Sequence, residues 1–139
     1  MKNKSFKKYK VFFPINTKLS DIDVYQNVNN FIFFSYFDTA LNNFLIKKKI
    51  IDYRTGNVLD LVVENKCNFH ESITFPCRLK IGFSVEKIGN TSVTYNLGII
   101  KGNRIIADGY IVHVFVDRKT YKPKKINQKF RKILESIIA

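Results

Sequence analysis

The chain has 139 residues, which fits a single domain over residues 1–139 and leaves little room for a second one. Hydrophobic residues make up 45% of the chain and aromatic residues 14%, so a packed core is expected and a largely disordered chain is excluded. The formal net charge of +13 indicates an anionic partner or, alternatively, only a general excess of lysine.

The two cysteines indicate neither a disulfide framework nor a metal site. Cys67 and Cys77 lack the CxxC spacing and have no histidine cluster beside them. The basic segment at residues 1–10 is followed by an apolar stretch that Pro14 soon interrupts, and no run reaches membrane-spanning length. We therefore expect a cytoplasmic protein without membrane insertion.

The N-terminal half predicts a strand, a polar loop and a long helix. Alternating apolar residues over 11–19 indicate the strand, and residues 20–27 form the loop. Residues 28–48 predict the helix, because asparagines that suit a cap precede a helix-length apolar run. Its first half is apolar on nearly every side, so we expect other structure to enclose it on most sides. A strand over residues 31–37 is the alternative, which the length and the asparagine start disfavour.

The C-terminal half predicts four strands and a short helix. The strands cover about residues 58–69, 79–85, 93–99 and 105–116, with turns at Gly89-Asn90 and Gly102-Asn103. Residues 127–138 predict an amphipathic helix. One apolar helix and one curved antiparallel sheet bury each other best when the sheet wraps around the helix. The fold class is therefore α+β.

The loop and the start of the long helix contain the most specific motif, Ser-Asp-Ile-Asp-Val-Tyr-Gln-Asn-Val-Asn-Asn at residues 20–30. It resembles the 4-hydroxybenzoyl-CoA thioesterase branch of the hot-dog superfamily. That signature is roughly Asp-x-Asp-x-x-Gly-His-Val-Asn-Asn, followed by Tyr-x-x-Tyr-Phe-Glu/Asp-x-Ala on the helix. The positions that match are Asp21, Asp23, Val28, Asn29, Asn30, Tyr36, Phe37, Asp38 and Ala40. Further similarity occurs at Phe75-Pro76, at residues 87–93 and at Val116-Asp117.

The resemblance implies a hot-dog fold and hydrolysis of an acyl-CoA or acyl-carrier-protein thioester without a cofactor. It also implies a homodimer or tetramer with the active site at the shared interface. The second aspartate of the motif is the family's catalytic carboxylate, which assigns that role to Asp23. The chemistry agrees, because Asp23 precedes a helix whose first amides are unpaired and electropositive. The alternative is that Asp21 and Asp23 only cap the helix or stabilise a turn.

Two positions depart from the family pattern. Gln26 stands where the family has glycine, so it must accept the glycine backbone geometry or shift the loop. Asn27 stands where the family has histidine; it forms hydrogen bonds but does not carry charge or shuttle a proton near neutral pH. These two changes do not affect the predicted fold. They are expected to affect the rate of catalysis and the substrate preference.

Five other residues are assigned supporting or substrate-orienting roles by the same motif and its surroundings. They are Asn27, Asn29, Asn30, Asp38 and His70. Asparagines at a helix start, such as Asn29 and Asn30, are more often caps than catalysts. One interpretation of Asp38 is a carboxylate that orients substrate or water. The other is a buried polar anchor, which must find hydrogen-bond partners or become neutral. The other histidine, His113, lies within a predicted strand and is interpreted as a core or interface residue.

The positive charge suits the phosphates of coenzyme A or an acidic carrier protein. Candidate phosphate-binding residues on or beside strands are Arg78, Lys80, Lys87, Lys101 and Arg104, each of which is otherwise a solvated surface charge. A non-catalytic hot-dog binding module with a degenerate site is the alternative function. A dehydratase is disfavoured because no histidine-containing helix-entry motif occurs. Nucleic acid is not expected, because no recognition motif accompanies the charge.

Overall fold

The computed structural model describes residues 4–139. The predicted domain 1–139 and the basic segment both begin at Met1, so their first three residues lie outside the described part of the chain. The strands are β1 (Val11–Asn16), β2 (Val58–Phe69), β3 (Arg78–Ile88), β4 (Ser92–Lys101) and β5 (Arg104–Asp117). The α-helices are α1 (Asn30–Lys47) and α2 (Gln128–Glu135). Short 3-10 turns cover Lys4–Lys8 and Leu19–Asp21, so β1 ends earlier than the alternation predicted.

All five strands form one antiparallel sheet in the order β1-β3-β4-β5-β2. Tight turns join β3 to β4 and β4 to β5, and Gly102 in the second turn has φ of 64°, which favours glycine. The strands β1 and β2 form the two edges of the sheet. Irregularities in register place an extra residue in β2, β3 and β5 and increase the local twist.

The helix α1 packs across the sheet and forms the core with its buried face. Phe33, Phe37, Leu41 and Leu45 recur every four residues and are buried. They meet an equally buried sheet face that includes Phe83. Burying one such side chain contributes about 1.5–3 kcal/mol. The predicted helix, strands and curved sheet are thus confirmed.

One side of α1 is left open, which the expected enclosure on most sides allows. The helix lies mainly over β1, β3 and β4. Phe31, near its start, is 80% exposed, and Asp38 is also exposed. The reason is geometric: one five-stranded sheet covers one face of an 18-residue helix and leaves the side toward the β2 edge open.

The C-terminal helix α2 packs against β3, and the segment after it runs beside the same strand. The amide of Val85 donates to the carbonyl of Ile137, and the amide of Ala139 donates to the carbonyl of Val85. Among residues 4–139 no helix is long and apolar enough to cross a membrane.

Candidate active site

The loop between β1 and α1 folds around the carboxylate of Asp23. Its Oδ1 atom accepts hydrogen bonds from the amides of Tyr25 (2.8 Å) and Asn27 (3.3 Å). The amide of Asp23 donates to the carbonyl of Asn27 at 2.8 Å, which closes the loop. This is the turn role that the sequence left open for Asp23. The turn uses Oδ1 only and fixes the orientation of the carboxylate.

Gln26 accepts the backbone geometry for which the family pattern has glycine. Its φ is 69°, in the left-handed region, and its amide donates to the carbonyl of Asp23 at 3.0 Å. A residue with a Cβ pays about 1–2 kcal/mol in this conformation. The loop therefore keeps its shape at a local energetic cost.

Replacing Gln26 by glycine is expected to raise the free energy of unfolding by about 0.5–1 kcal/mol, because relief of strain exceeds the added freedom of the unfolded chain. Urea denaturation measures the difference, and Gln26→Ala, which keeps the Cβ, serves as the control without a gain. A glycine variant no more stable than the alanine variant would contradict the strain assignment.

A pocket of about 330 Å³ opens beside Asp23, at the N-terminal end of α1. Its polar lining includes Asp23, Asn27, Asn30 and His70. Phe33 of α1 and Phe69 of β2 supply an apolar wall, with ring centroids 4.9 Å apart. The structure thus brings the predicted catalytic carboxylate together with three of its predicted neighbours in one concave site.

The start of α1 presents electropositive backbone to this pocket. Asn29 caps the helix, since its side chain accepts from the amide of Phe31 at 3.0 Å. The amide of Asn30 has no acceptor among the described residues, and Asn30 lines the pocket. The positive end of the helix dipole adds to this donor. A carbonyl bound here would be polarised by the amide and the helix end together.

The first aspartate of the motif is a structural anchor. Asp21 is 5% exposed, and its Oδ2 atom accepts from the hydroxyl of Tyr36 (2.7 Å) and the amide of Lys18 (2.9 Å). Burial, followed by this hydrogen bond, raises the pKa of Tyr36 above its usual range. The pair ties the loop to α1 and so positions Asp23 two residues later.

The other wall of the pocket is charged. The Nε2 atom of His70 lies 3.2 Å from a carboxylate oxygen of Asp108. The carboxylate of Glu71 forms a bidentate pair with Arg104, at 2.8 and 2.9 Å, which lowers the pKa of Glu71. Arg104 therefore has its guanidinium engaged by a carboxylate at the pocket rim.

The remaining phosphate-binding candidates divide into two groups. Arg78 and Lys80 line a cleft at the start of β3, next to the β4–β5 turn that carries Lys101. Together with Arg104, this group lies at one end of the sheet. Lys87 lies at the opposite end of β3 and does not share that surface.

The sheet face that packs against α1 contains a polar group that sequence reasoning missed. It consists of Asp60 on β2, Tyr95 on β4 and His113 on β5, and we call it the inner polar cluster. His113 and Tyr95 are buried, as expected of a core histidine, and the Asp60 side chain is 12% exposed. Asp38 approaches from α1, and its charge contributes to raising the pKa of Asp60. The sequence signal for this cluster was Asp60, a single aspartate within the apolar first half of β2.

Burial controls the ionisation of this cluster. Desolvation raises the pKa of Asp60 to about 6 and lowers the pKa of His113 to about 4. Desolvation likewise raises the pKa of Asp38, although a hydrogen bond with Asn42 opposes this. Asp60 Oδ2 and His113 Nδ1 are 3.4 Å apart, and neither Nδ1 nor the Tyr95 hydroxyl has a hydrogen-bond partner among the described residues.

The curved sheet and the central helix define the hot-dog fold, which comparison with solved structures supports. The PA5185 protein of Pseudomonas aeruginosa strain PAO1 is 36% identical, with a TM-score of 0.91 over 96% of this chain and 94% of that one. DHNA-CoA thioesterase of Staphylococcus aureus is 19% identical, with a TM-score of 0.78 over 90% and 86%. The 1,4-dihydroxy-2-naphthoyl-CoA thioesterase of Synechocystis is 14% identical, with a TM-score of 0.81 over 91% and 96%.

Residues 17–134 match the model of the thioesterase-like superfamily. The chain therefore belongs to that superfamily, as the motif at residues 20–30 predicted. No curated protein sequence matches the chain significantly. The family and the fold support thioester hydrolysis in general.

Proposed function

We propose that the protein is an acyl thioesterase that hydrolyses an acyl-CoA or acyl-carrier-protein thioester, with Asp23 as the catalytic carboxylate. The observation that carries this proposal is the position of Asp23 in a pocket beside the N-terminus of α1. A thioester carbonyl needs an attacking group on one side and a donor for the developing oxyanion on the other. The pocket offers both within one concave surface.

In the proposed reaction the thioester carbonyl oxygen faces the free amide of Asn30. The carboxylate of Asp23 attacks the carbonyl carbon, or removes a proton from a water that attacks it. Negative charge then develops on the carbonyl oxygen, where the amide and the helix dipole stabilise it. Collapse breaks the carbon–sulfur bond, and the thiolate leaves and takes up a proton. On the direct-attack route a water then hydrolyses the mixed anhydride formed with Asp23 and frees its carboxylate, so both routes yield the carboxylic acid and the free thiol.

The phosphates of the carrier are proposed to bind at the sheet end that carries Arg78, Lys80, Lys101 and Arg104. Three of these lie at or beside the cleft at the start of β3. The fourth, Arg104, contacts the pocket through Glu71. Lys87 lies too far along the sheet to join them, so we leave it out of this surface. We further propose that the enzyme acts in the cytoplasm.

We also propose that the protein is a homodimer joined through β2, with a tetramer as the larger possibility. This strand is one edge of the sheet, and Val62 and Val63 on it are 46% and 60% exposed. A long apolar edge strand offers unpaired backbone groups to a second copy. Pairing two such edges would continue the sheet across the dimer.

Val63→Lys is expected to convert this dimer to monomers, because like charges brought together across the paired edges cost several kcal/mol. The dissociation constant should rise at least about 100-fold. Light scattering after size exclusion measures the mass, with Val63→Thr as the matched control that keeps a β-branched side chain. A wild-type protein that is monomeric at all concentrations would contradict the dimer.

The test of the function is a panel of short, long and aromatic acyl-CoA esters, with acyl-carrier-protein esters in parallel. Release of free thiol above the uncatalysed rate for at least one ester is expected. The alternative, a non-catalytic binding module, is favoured by the two departures from the family motif, Gln26 and Asn27. Binding of acyl-CoA without turnover of any ester would support that alternative and overturn the proposed hydrolysis.

A further inference from the structure

A second cavity lies at the end of α1 that is remote from Asp23. Its volume is about 300 Å³, and it is bordered by the end of α1, the loop before β2, the end of β5 and the start of α2. Because α1 has 18 residues, the cavity is about 25 Å from the Asp23 pocket along the helix. The two share no lining residue, so the proposed reaction gives this cavity no role.

The base of the cavity is apolar. Phe115 and Ile50 are buried, and Val58 and Phe130 are half-buried beside them. The apolar part of a ligand gains free energy when it leaves water for such a surface. The cavity volume is at the lower end of the usual range for ligand pockets, about 300–1,000 Å³, which suits a single ring or a short chain.

Three lysines line the same cavity, one after the end of α1 and two from the segment before α2. They are Lys49, Lys124 and Lys125. Like charges on one concave surface repel each other, and an anion bound among them would relieve that repulsion. Among residues 4–139 none of the three lysines forms a salt bridge with a carboxylate. The cavity therefore combines an apolar base with positive charge that no ion pair neutralises.

The surface around the cavity is strongly basic. Residues 47–54 and 117–129 contain ten of the 24 basic residues of the chain but two of its 11 acidic ones. Both of these carboxylates are held in turns: Asp52 accepts from the hydroxyl of Thr55 at 2.7 Å, and Asp117 accepts from two backbone amides at 2.8 and 3.2 Å. This end of the protein therefore attracts anions, and the cavity offers them a site away from bulk water.

The cavity is preformed. The guanidinium of Arg118 donates to three carbonyls of the loop between α1 and β2, those of Asp52, Tyr53 and Gly56. A Cβ at Gly56 would lie 2.7 Å from the carbonyl oxygen of Asp52, so the loop closes there only with glycine. A ligand would therefore bind without first having to order this wall.

Backbone donors add to the lysines where α2 begins. Asn127 caps this helix, since its side chain accepts from the amide of Phe130 at 3.0 Å. The amides of Gln128 and Lys129 have no acceptor among the described residues, and they lie at the positive end of the helix dipole. Asn127 and Phe130 both line the cavity, so this end of α2 contributes to its positive side.

We propose that this cavity binds a small organic anion, which carries one carboxylate or phosphate group on a single ring or a short apolar chain. The anionic group lies among Lys49, Lys124 and Lys125, and the apolar body packs on Phe115 and Phe130. A cavity of about 300 Å³ is too small to enclose a whole coenzyme A. The site is separate from Asp23 and does not depend on the proposed hydrolysis.

The experiment is a titration of the nitrogen-15-labelled protein followed by NMR. Benzoate and phenyl phosphate carry both the ring and the charge, whereas benzyl alcohol lacks the charge and acetate lacks the ring. At least one of the two ring anions is expected to bind with a Kd of about 0.1–1 mM and to shift the amide signals of Gly56 and Lys125. Benzyl alcohol and acetate should bind at least about 10-fold more weakly. The ranking of benzoate and phenyl phosphate identifies the preferred anionic group.

The double variant Lys124→Gln/Lys125→Gln is expected to weaken binding of the preferred anion by about 10-fold, because two of the three charges at the cavity are lost. The matched control is Lys7→Gln/Lys10→Gln, which removes the same charge from exposed positions that do not line the cavity. Equal affinities of the two double variants would overturn the site. So would shifts centred on the Asp23 pocket.

Free coenzyme A separates this site from the one proposed for the carrier of the substrate. Added coenzyme A should leave the benzoate-dependent or phenyl-phosphate-dependent shift of Gly56 in place. Displacement of the small anion would assign the cavity to the carrier and overturn a separate site. Because the titration needs no turnover, a protein that binds the anion but hydrolyses no ester would overturn the proposed hydrolysis alone. An active thioesterase that binds neither ring anion would overturn the anion site alone.

Discussion

Asp23→Asn is expected to lower kcat on the best thioester by about 1,000-fold or more. Removal of a general base or nucleophile costs at least about 100- to 10,000-fold in enzymes of this kind. Asparagine neither attacks a carbonyl carbon nor takes a proton from water at neutral pH. KM should change little, because the carrier phosphates and the acyl chain bind elsewhere. Steady-state release of thiol measures both parameters.

The Asn substitution separates chemistry from structure at this position. An Asn side-chain oxygen still accepts from the amides of Tyr25 and Asn27, as Asp23 Oδ1 does. The loop should therefore keep its conformation and the free energy of unfolding should hardly change. A lost rate in a stable variant assigns the carboxylate to the reaction rather than to the turn.

Asp21→Asn is the matched control, because it changes a carboxylate two residues earlier in the same loop. Asp21 is bound to Tyr36 and Lys18 and does not line the pocket. Asparagine still accepts a hydrogen bond from Tyr36, so Asp23 should keep its position, with kcat within a few-fold of the wild type and stability lowered by the weaker bond. If Asp23→Asn retained the wild-type rate, Asp23 would have no part in the reaction.

The sequence alone predicted three features: the order of the strands along the chain, the long helix and the loop that carries the motif. Alternation at period two identified the strands, and a continuous apolar run with asparagines before it identified α1. These signals are local, since each one arises within a single element. The loop motif was equally local, and the pocket contains Asp23, Asn27, Asn30 and His70, the last of which is at least forty residues from the others.

The inner polar cluster depends on long-range register that the sequence does not display. Asp60 and His113 are 53 residues apart and meet because β2 pairs with β5 in the register that sets Val62 opposite His113. A slip of one residue would turn Asp60 to the other face of the sheet. The core position expected for His113 was confirmed, but its carboxylate neighbour was not predictable from either strand alone.

Asp60 and His113 are also expected to give opposite dependences of stability on pH. The pKa of Asp60 is raised from 3.8 to about 6, so the folded protein holds this proton while the unfolded chain releases it. Stability from this group is present below pH 3.8 and is lost as the pH rises through 6. The pKa of His113 is lowered from 6.5 to about 4, so its stabilising contribution is present above pH 6.5 and is lost as the pH falls through 4.

Between pH 4 and 6 the two contributions oppose each other in the wild type. Each corresponds to about 1.4 kcal/mol per pH unit, or about 3 kcal/mol across the window. Asp60→Asn removes the falling contribution, so the stability of this variant should rise with pH relative to the wild type. His113→Gln removes the rising contribution, so the stability of this variant should fall with pH relative to the wild type.

Urea denaturation of the three proteins at pH 4, 5, 6 and 7 measures these slopes. All other titrating groups are common to the variants, including Asp38, which faces the cluster from α1, and Tyr95, which stays neutral in this range. The difference between the two variants should therefore change by roughly 5 kcal/mol from pH 4 to 6. Parallel curves would mean that neither group is desolvated and that water reaches the cluster.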